Sequence, residues 1–256
     1  MHKCVTSLLR QTQLPTEILL VGPQTDQISW LTSYPIVRGI EYYGDKNTAR
    51  NIGSRQAQGS HLLHLDHDMI AEKNLLGACL QAAKTADTVI VPEKGAGGSF
   101  WQNCKRLEKE LVMYDPATVT PRFYKKTLFD QEEKPFDPRC GSLDEWGFGQ
   151  ALARKKARAT YAKSHVIVNE TGSFLQNNFI KKFKHGRWLW VLYKINKQQA
   201  WTRTNPIRRG LVFYGRRISY FLHDPAHFTG LLILKSIHLA AFSLGCLTAL
   251  WHERDY

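Results

Sequence analysis

The sequence lacks the glycine patterns that mark common nucleotide-binding folds. No Gly-x-x-x-x-Gly-Lys-Ser/Thr segment is present, which argues against a P-loop kinase or ATPase. The glycine-rich segment 94–98 follows a predicted strand, but Phe100 occupies the position of the third glycine of a dinucleotide fingerprint. We therefore interpret this segment as a flexible loop beside an active cleft.

Paired cysteines are also missing. Five cysteines are scattered along the chain without a Cys-x-x-Cys pair: Cys4, Cys79, Cys104, Cys140 and Cys246. An odd number of scattered thiols in a chain of 256 residues indicates reduced cysteines facing a cytosol. The N-terminal segment shows no signal-peptide pattern, so we expect no secretion signal there.

Acidic residues are absent from one long stretch of a basic chain. The formal net charge is +13, and no Asp or Glu occurs between Thr171 and His223. Lysine, arginine, tryptophan and tyrosine are interleaved there, and such a surface attracts anionic lipid headgroups or nucleic acid. Because tryptophan and tyrosine favour membrane interfaces or stacking, their density argues against a merely solvated basic face.

The longest apolar stretch lies near the C-terminus, from Thr229 to Trp251. It is long enough to cross a bilayer, for which ~20 residues suffice. Lys235 and His238 interrupt its first half, so an interfacial helix or a shallow hairpin is an equal alternative to a spanning helix. A buried helix of the protein core is the third possibility.

Short apolar runs alternate with helical periodicity in the first half of the chain. Strands are predicted over residues 17–21, 62–65 and 88–91, and helices over residues 47–58, 71–84 and 100–114. Asn47 is a possible N-cap of the first of these helices. The alternation predicts an α/β fold with a mostly parallel sheet and flanking helices, and a hydrophobic content of 43% is sufficient for its core.

Two carboxylates directly follow one of the predicted strands. The apolar run 62–65 stops at Asp66 and Asp68, which are separated by one residue. In open α/β sheets, ligands bind at the carboxyl ends of strands. An Asp-x-Asp pair supplies hard oxygen ligands that can hold a divalent cation against a diphosphate. Taken alone, the tripeptide 66–68 is best interpreted as an acidic turn, so the metal hypothesis depends on the other motifs in the sequence.

Four motifs supply that context. They are Ser-Leu-Leu-Arg-Gln-Thr at 7–12, Asn-Thr-Ala-Arg-Asn-Ile-Gly at 47–53, Asp-His-Asp at 66–68 and Asp-Glu-Trp at 144–146. In this order and spacing, residues 5–190 resemble family 2 glycosyltransferases of the GT-A fold, which is Rossmann-like. The basic and aromatic segment 181–190 is similar to the membrane-associated branch of that family.

The resemblance implies inverting transfer of a sugar from a nucleotide-sugar donor to a lipid-linked or envelope-glycan acceptor. It assigns Mg²⁺ or Mn²⁺ to Asp66 and Asp68, where the ion would neutralise the charge that develops on the diphosphate leaving group. In the family a histidine that serves the metal often follows the last core strand. Here Asn169 or Glu170 would take its place.

The resemblance also assigns donor-binding and catalytic residues. Arg50 and Asn51 join Asp66 on the donor side, where Arg50 would contact phosphate or orient the carboxylates. Glu145 aligns with the family's base, which takes the proton of the attacking acceptor hydroxyl, and Asp144 is the runner-up. Without the resemblance, these two acids are also typical of a helix N-terminus, which the helix macrodipole favours.

The chain departs from the family pattern in two further respects. The family begins with a strand whose end contacts the nucleotide base, whereas this sequence starts directly before its first helix. We expect either that the true start lies upstream or that the base pocket is incomplete and holds the donor base loosely. The Gln-x-x-Arg-Trp motif of processive polysaccharide synthases is missing, and this predicts single-sugar transfer.

We expect three parts in the chain: a catalytic domain over 1–170, a basic-aromatic helical segment over 171–228, and an apolar C-terminal helix over 229–256. An anionic membrane surface is the expected partner, at the cytoplasmic face of the cell membrane. One alternative is a non-catalytic or truncated homologue that binds a membrane or a protein partner. A nucleic-acid-binding protein is another, but it leaves the Asp-x-Asp pair unexplained, so we expect no nucleic acid.

Overall fold

A computed structural model gives the structure of the protein. It describes residues 1–25, 28–113, 119–133, 135–168, 174–195, 197, 201 and 219–252. The chain divides into two compact units. Met1–Glu93 and Thr120–Val168 form the first unit, and Lys94–Val119 and Asn169–Tyr256 form the second.

The helices and strands alternate through the first unit, and helices dominate the second. The helices are α1 (His2–Leu9), α2 (Lys46–Gln56), α3 (Leu75–Ala82), α4 (Phe100–Val112), α5 (Lys126–Asp130), α6 (Asp144–Arg154), α7 (Phe174–Ile195), α8 (Ser219–His223) and α9 (Pro225–His252). The strands are β1 (Ile18–Gly22), β2 (Val37–Glu41), β3 (His61–Leu63), β4 (Met69–Ala71), β5 (Thr88–Ile90), β6 (Glu93–Gly95), β7 (Phe123–Lys125), β8 (Ala159–Tyr161) and β9 (Val166–Val168). Short 3₁₀ helices cover Ser29–Ser33 and Pro138–Leu143.

The strands form three hydrogen-bonded groups, in the orders β1-β2, β3-β7-β5-β8 and β4-β9-β6. The predicted α/β architecture with flanking helices and an apolar C-terminal helix is confirmed. The predicted parallel arrangement holds for β1 with β2 and for β5 with β8. The pairs β3–β7, β5–β7 and β4–β9 are antiparallel, so the strand arrangement is mixed.

The sheet that contains β7 is buried on both faces. Phe123 and Tyr124 are consecutive residues of β7, so their side chains point to opposite faces. Phe123 joins one hydrophobic cluster with Leu75 of α3, whereas Tyr124 joins another with Phe129 of α5 and Phe148 of α6. Helices therefore cover both sides of this sheet, as the sequence predicted.

The N-cap of α2 is Asp45, so the predicted cap at Asn47 is wrong. The Asp45 carboxylate accepts hydrogen bonds from the backbone N–H groups of Asn47 and Thr48, both at 2.9 Å. Burial raises the pKa of Asp45, but the hydrogen bonds from Thr48 and Asn47 outweigh it and hold the pKa below its ordinary value. Asn47 is instead fully buried inside the first turn.

The second unit is built from α4, α7 and α9. Cys104, Leu107 and Leu111 of α4 form a buried cluster with Phe228 and Leu231 of α9. Ser99 and Gln102 form a capping box that starts α4. Among the residues that the structure describes, one helix, Pro225–Trp251, has the length and apolar composition to cross a membrane, and 33% of its most apolar 18-residue stretch is buried. The arginines of 202–218 lie outside the described residues.

Two glycines allow α7 and α9 to approach closely. A Cβ atom on Gly186 would clash with the Phe242 carbonyl oxygen, and one on Gly245 would clash with the Phe183 carbonyl oxygen. Both obstacles are backbone atoms, which cannot rotate away as a side chain can. Close contact between these helices therefore requires glycine on each.

Replacing Gly186 with alanine should lower the free energy of unfolding by about 1–3 kcal/mol, the usual cost of overpacking. Gly147→Ala is a matched control, because Gly147 is also helical and a Cβ there would meet nothing within 4 Å. That control should be neutral or stabilising by up to about 1 kcal/mol. Urea unfolding of both variants measures the difference, and equal stabilities would contradict the close helix crossing.

Candidate functional site

Asp66 and Asp68 lie in the turn between β3 and β4. The predicted strand 62–65 ends at Leu63 in the structure, and β4 begins at Met69. The Met69 N–H donates to the Asp66 carbonyl at 3.0 Å, which closes the turn. Both acids thus follow the carboxyl end of β3, as the sequence predicted.

Two largely buried arginines contact the Asp66 carboxylate. Arg50 of α2 donates through Nη2 to Asp66 Oδ1 at 2.8 Å, and Arg122 Nη2 lies 3.8 Å from Asp66 Oδ2. Arg122 also donates to Glu93 Oε1, through Nε at 3.0 Å and through Nη2 at 2.6 Å. The arginine side chains are 10% and 12% exposed, whereas that of Asp66 is 32% exposed. Arg50 therefore orients a carboxylate, one of its two predicted roles.

Asp68 differs from Asp66 in its contacts. Among the described residues no hydrogen bond or ion pair holds its carboxylate. The same residues contain no cluster of three or more His, Cys, Asp or Glu that could enclose a metal. A cation here would take its other ligands from phosphate oxygens and water, which is how Mg²⁺ is usually bound in phosphate sites. The two carboxylates fit that mode. Asn169, the third predicted ligand, lies outside the described residues.

Helix α1 contacts this turn through Cys4. The Cys4 thiol donates to the Asp66 carbonyl at 3.7 Å. Burial raises the pKa of Cys4 to about 11, and the charges of Asp68 and Asp66 add to the rise while the N-terminal ammonium opposes it. Cys4 is therefore a neutral thiol at neutral pH. The influence of both carboxylates on its pKa indicates that they lie close to α1.

Ser7 and Gln11, which belong to the motif at 7–12, form hydrogen bonds with the segment that follows the turn. Ser7 Oγ accepts a hydrogen bond from the Ala71 N–H at 2.9 Å. Gln11 donates through Nε2 to the Glu72 carbonyl at 2.7 Å and accepts from the Leu76 N–H at 2.9 Å. In this structure the motif positions β4 and α3 through their backbones.

Asn51 holds the loop that leads to α6. Its side chain donates to the Phe136 carbonyl at 2.7 Å and accepts from the Phe136 N–H at 3.3 Å. Asn47 donates through Nδ2 to the carbonyls of Asp137, at 3.2 Å, and Gly141, at 2.6 Å. Gly141 has φ of 52°, a left-handed conformation that glycine adopts without strain. The predicted contact between Asn51 and the donor stays a prediction.

Asp144 and Glu145 are the first residues of α6, directly after the 3₁₀ turn that Asn47 holds. Their side chains lie outside the described part of the chain. The backbone nevertheless connects the two predicted halves of the site. One face of α2 carries Arg50, which holds Asp66, and the same helix carries the asparagines that hold the loop before Glu145.

A small recess with a volume of about 10 Å³ adjoins the arginines, and sequence analysis did not predict it. Its walls include Arg50, His64, Arg122, Tyr124, Phe136 and Phe148. The His64 ring stacks on Tyr124, and its Nε2 is 3.1 Å from Ser54 Oγ. The recess thus combines two cations with aromatic walls, and its volume is about that needed for one water molecule.

Solved structures with a similar fold include those of S. aureus TarS, a glycosyltransferase. TarS 1–349 in complex with UDP-GlcNAc gives a TM-score of 0.56 at 14% identity, over 99% of this chain and 88% of that chain. The complex of TarS 1–349 with UDP gives a TM-score of 0.55 at 15% identity, over 100% of this chain and 88% of that chain. For a longer TarS structure the TM-score is 0.53 and the sequence identity is 17%, and this chain spans only 42% of that chain.

No protein-family model matches this sequence, and no curated protein matches it either. The likeness to TarS therefore concerns the fold. The chain has a glycosyltransferase-like α/β fold with a C-terminal apolar helix.

Proposed function

We propose that this protein is a glycosyltransferase of the family 2 type that uses a nucleotide-sugar donor and transfers a single sugar with inversion. The observation that carries the proposal is the turn after β3, where Arg50 and Arg122 fix Asp66 beside Asp68. The TarS-like fold supports the same class of reaction. The acceptor would be a lipid-linked or envelope glycan, used at the cytoplasmic face of the cell membrane.

The donor diphosphate would bind at the β3–β4 turn. A Mg²⁺ or Mn²⁺ ion held by Asp68 and Asp66 would offset the negative charge that develops as the diphosphate leaves. Arg50 and Arg122 keep the Asp66 carboxylate in one orientation, so it need not reorganise when the donor arrives. Asn169 would add a ligand from the segment after β9.

The acceptor would be activated at the start of α6. Glu145 would accept the proton of the acceptor hydroxyl as its oxygen attacks the anomeric carbon. Asp144 is the neighbouring candidate for that role. Asn47 and Asn51 act as positioning residues, because they fix the backbone of the loop that ends at Asp144.

The identity of the donor is the first question to test. TarS structures contain UDP and UDP-GlcNAc, so we propose a uridine nucleotide-sugar as the first donor to measure. Calorimetric titration with UDP and with UDP-GlcNAc, each with and without Mn²⁺, tests the proposal directly. Binding that requires the metal supports it, and no binding of any nucleotide-sugar under either condition would refute it.

Asp68→Asn should weaken metal-dependent UDP binding strongly. Loss of an outer-shell partner already costs ~10–100-fold in metal affinity, and a direct ligand should cost at least as much. Asp130→Asn is the control, because Asp130 is an exposed carboxylate paired with Lys126 on α5. The control should bind UDP like the wild type. Unchanged affinity in the Asp66→Asn, Asp68→Asn double variant would rule out this site.

A further inference from the structure

One face of α9 is exposed, apolar and free of charge. The exposed large side chains on this helix are Leu232, Ile233, Leu239, Leu244, Leu247, Leu250 and Trp251. At 3.6 residues per turn they fall on one side of the helix, and the exposed positions between them are small and uncharged. Soluble monomers rarely expose a continuous apolar surface of this length, so the face marks an interaction site.

The opposite face of α9 carries its charged and titratable residues. Lys235 forms an ion pair with Glu108 of α4, and Glu108 also accepts from Lys105 at 2.7 Å. His238 is buried on the same side, where burial and the charges of Lys105 and Lys182 lower its pKa to about 2. These residues interrupt the apolar sequence because they face the protein.

We infer that α9 lies in the plane of an anionic lipid surface, with its apolar face in the bilayer and its polar face on α4 and α7, and that it does not cross the membrane. Its first part is covered by α4 through Phe228, Leu231 and the Lys235–Glu108 pair. Beyond Lys235 the helix is only about 25 Å long at ~1.5 Å per residue, shorter than the ~30 Å hydrocarbon layer.

The second part of α9 is covered by α7. The backbones meet at Gly186 and Gly245, and Cys246 Sγ donates to the Gly186 carbonyl at 3.3 Å. The exposed positions of α7 include four cations: Lys181, Lys184, Arg187 and Lys194. A helix with these side chains is costly to place in hydrocarbon. Both parts of α9 are therefore packed on charged helices, which leaves one face for lipid.

Charge selects lipid over a second copy of this chain as the occupant. Two copies, each with a net charge of +13, repel one another. Anionic headgroups instead attract the exposed cations of α7. Trp251, which is 74% exposed at the end of the apolar face, is a residue that favours the headgroup region.

Vesicle co-sedimentation of the full chain tests the inference, with phosphatidylcholine vesicles that contain or lack phosphatidylglycerol. No donor or acceptor is present, so the outcome is independent of the proposed sugar transfer. Leu247→Glu should weaken binding ~10–100-fold, the factor that burial of one leucine provides. Leu14→Glu is the matched control, because Leu14 is 59% exposed in the first unit and Leu247 is 62% exposed.

A tag fused after Tyr256 measures whether α9 crosses the bilayer. When the protein is added to sealed vesicles, a protease outside should remove the tag without detergent, because an interfacial helix keeps both ends on one side. A tag protected until detergent is added would show a spanning helix and overturn the inference. Equal binding of the Leu247→Glu and Leu14→Glu variants would also overturn it, as would a dimer in solution that Leu247→Glu dissociates.

Discussion

Glu145→Gln is expected to lower turnover of the nucleotide-sugar by ~10²–10⁴-fold, the usual contribution of a positioned general base. Donor affinity should remain close to that of the wild type, because the proposed donor site is the β3–β4 turn. Glutamine keeps the size of the side chain and removes only its ability to accept a proton. Initial rates at saturating donor, together with calorimetric titration of UDP, separate the two effects.

Two variants make this result specific. Asp144→Asn should retain most of its turnover, and the exposed Glu133→Gln should behave as the wild type. If Asp144→Asn loses turnover while Glu145→Gln does not, the base is the preceding residue of α6. If both retain turnover, the proposed chemistry at the start of this helix is wrong.

Local sequence patterns were sufficient to predict much of the fold. The apolar runs at 17–21, 62–65 and 88–91 contain most of β1, most of β3, and all of β5, because a run of apolar residues favours a buried strand. The N-cap was missed because Asp45 and Asn47 are both capping residue types. Backbone conformation decides between them, since Asp45 is extended, with φ of −75° and ψ of 155°.

The contacts that build the site could not be predicted in this way. Arg122 meets Asp66 only because β7 returns beside β3, where the His64 N–H donates to the Arg122 carbonyl at 2.9 Å. Asn51 likewise meets Phe136 across 85 positions of sequence. Such polar pairs have no periodicity, and strand order is set by long-range pairing. Only the resemblance to a family linked these segments before the structure did.

Glu108→Gln is expected to lower the free energy of unfolding by about 3–5 kcal/mol at neutral pH, the usual cost of removing one member of a buried ion pair. Burial raises the pKa of Glu108, but the charges of Lys105, Lys235 and Lys182 outweigh it and hold the pKa well below 4.5. The carboxylate is therefore ionised in the folded state. Without it, the charges of Lys105, Lys235 and Lys182 lose the anion that offsets them.

The pH dependence of stability distinguishes this ion pair from simple packing. Because the pKa of Glu108 is lower when folded than when unfolded, its contribution is present above about pH 4.5 and is lost as the pH falls towards the folded-state pKa. The stability difference between wild type and Glu108→Gln should therefore shrink below pH 4.5.

Lys235→Met should cost less than Glu108→Gln, because the carboxylate would retain Lys105 and the methionine would suit an apolar helix. Glu110→Gln, at an exposed position of the same helix, should change stability by no more than about 0.5 kcal/mol. Urea unfolding at pH 7 and at pH 3 measures all four proteins. A constant difference between wild type and Glu108→Gln at both values would mean that shape, and not charge, makes Glu108 necessary between α4 and α9.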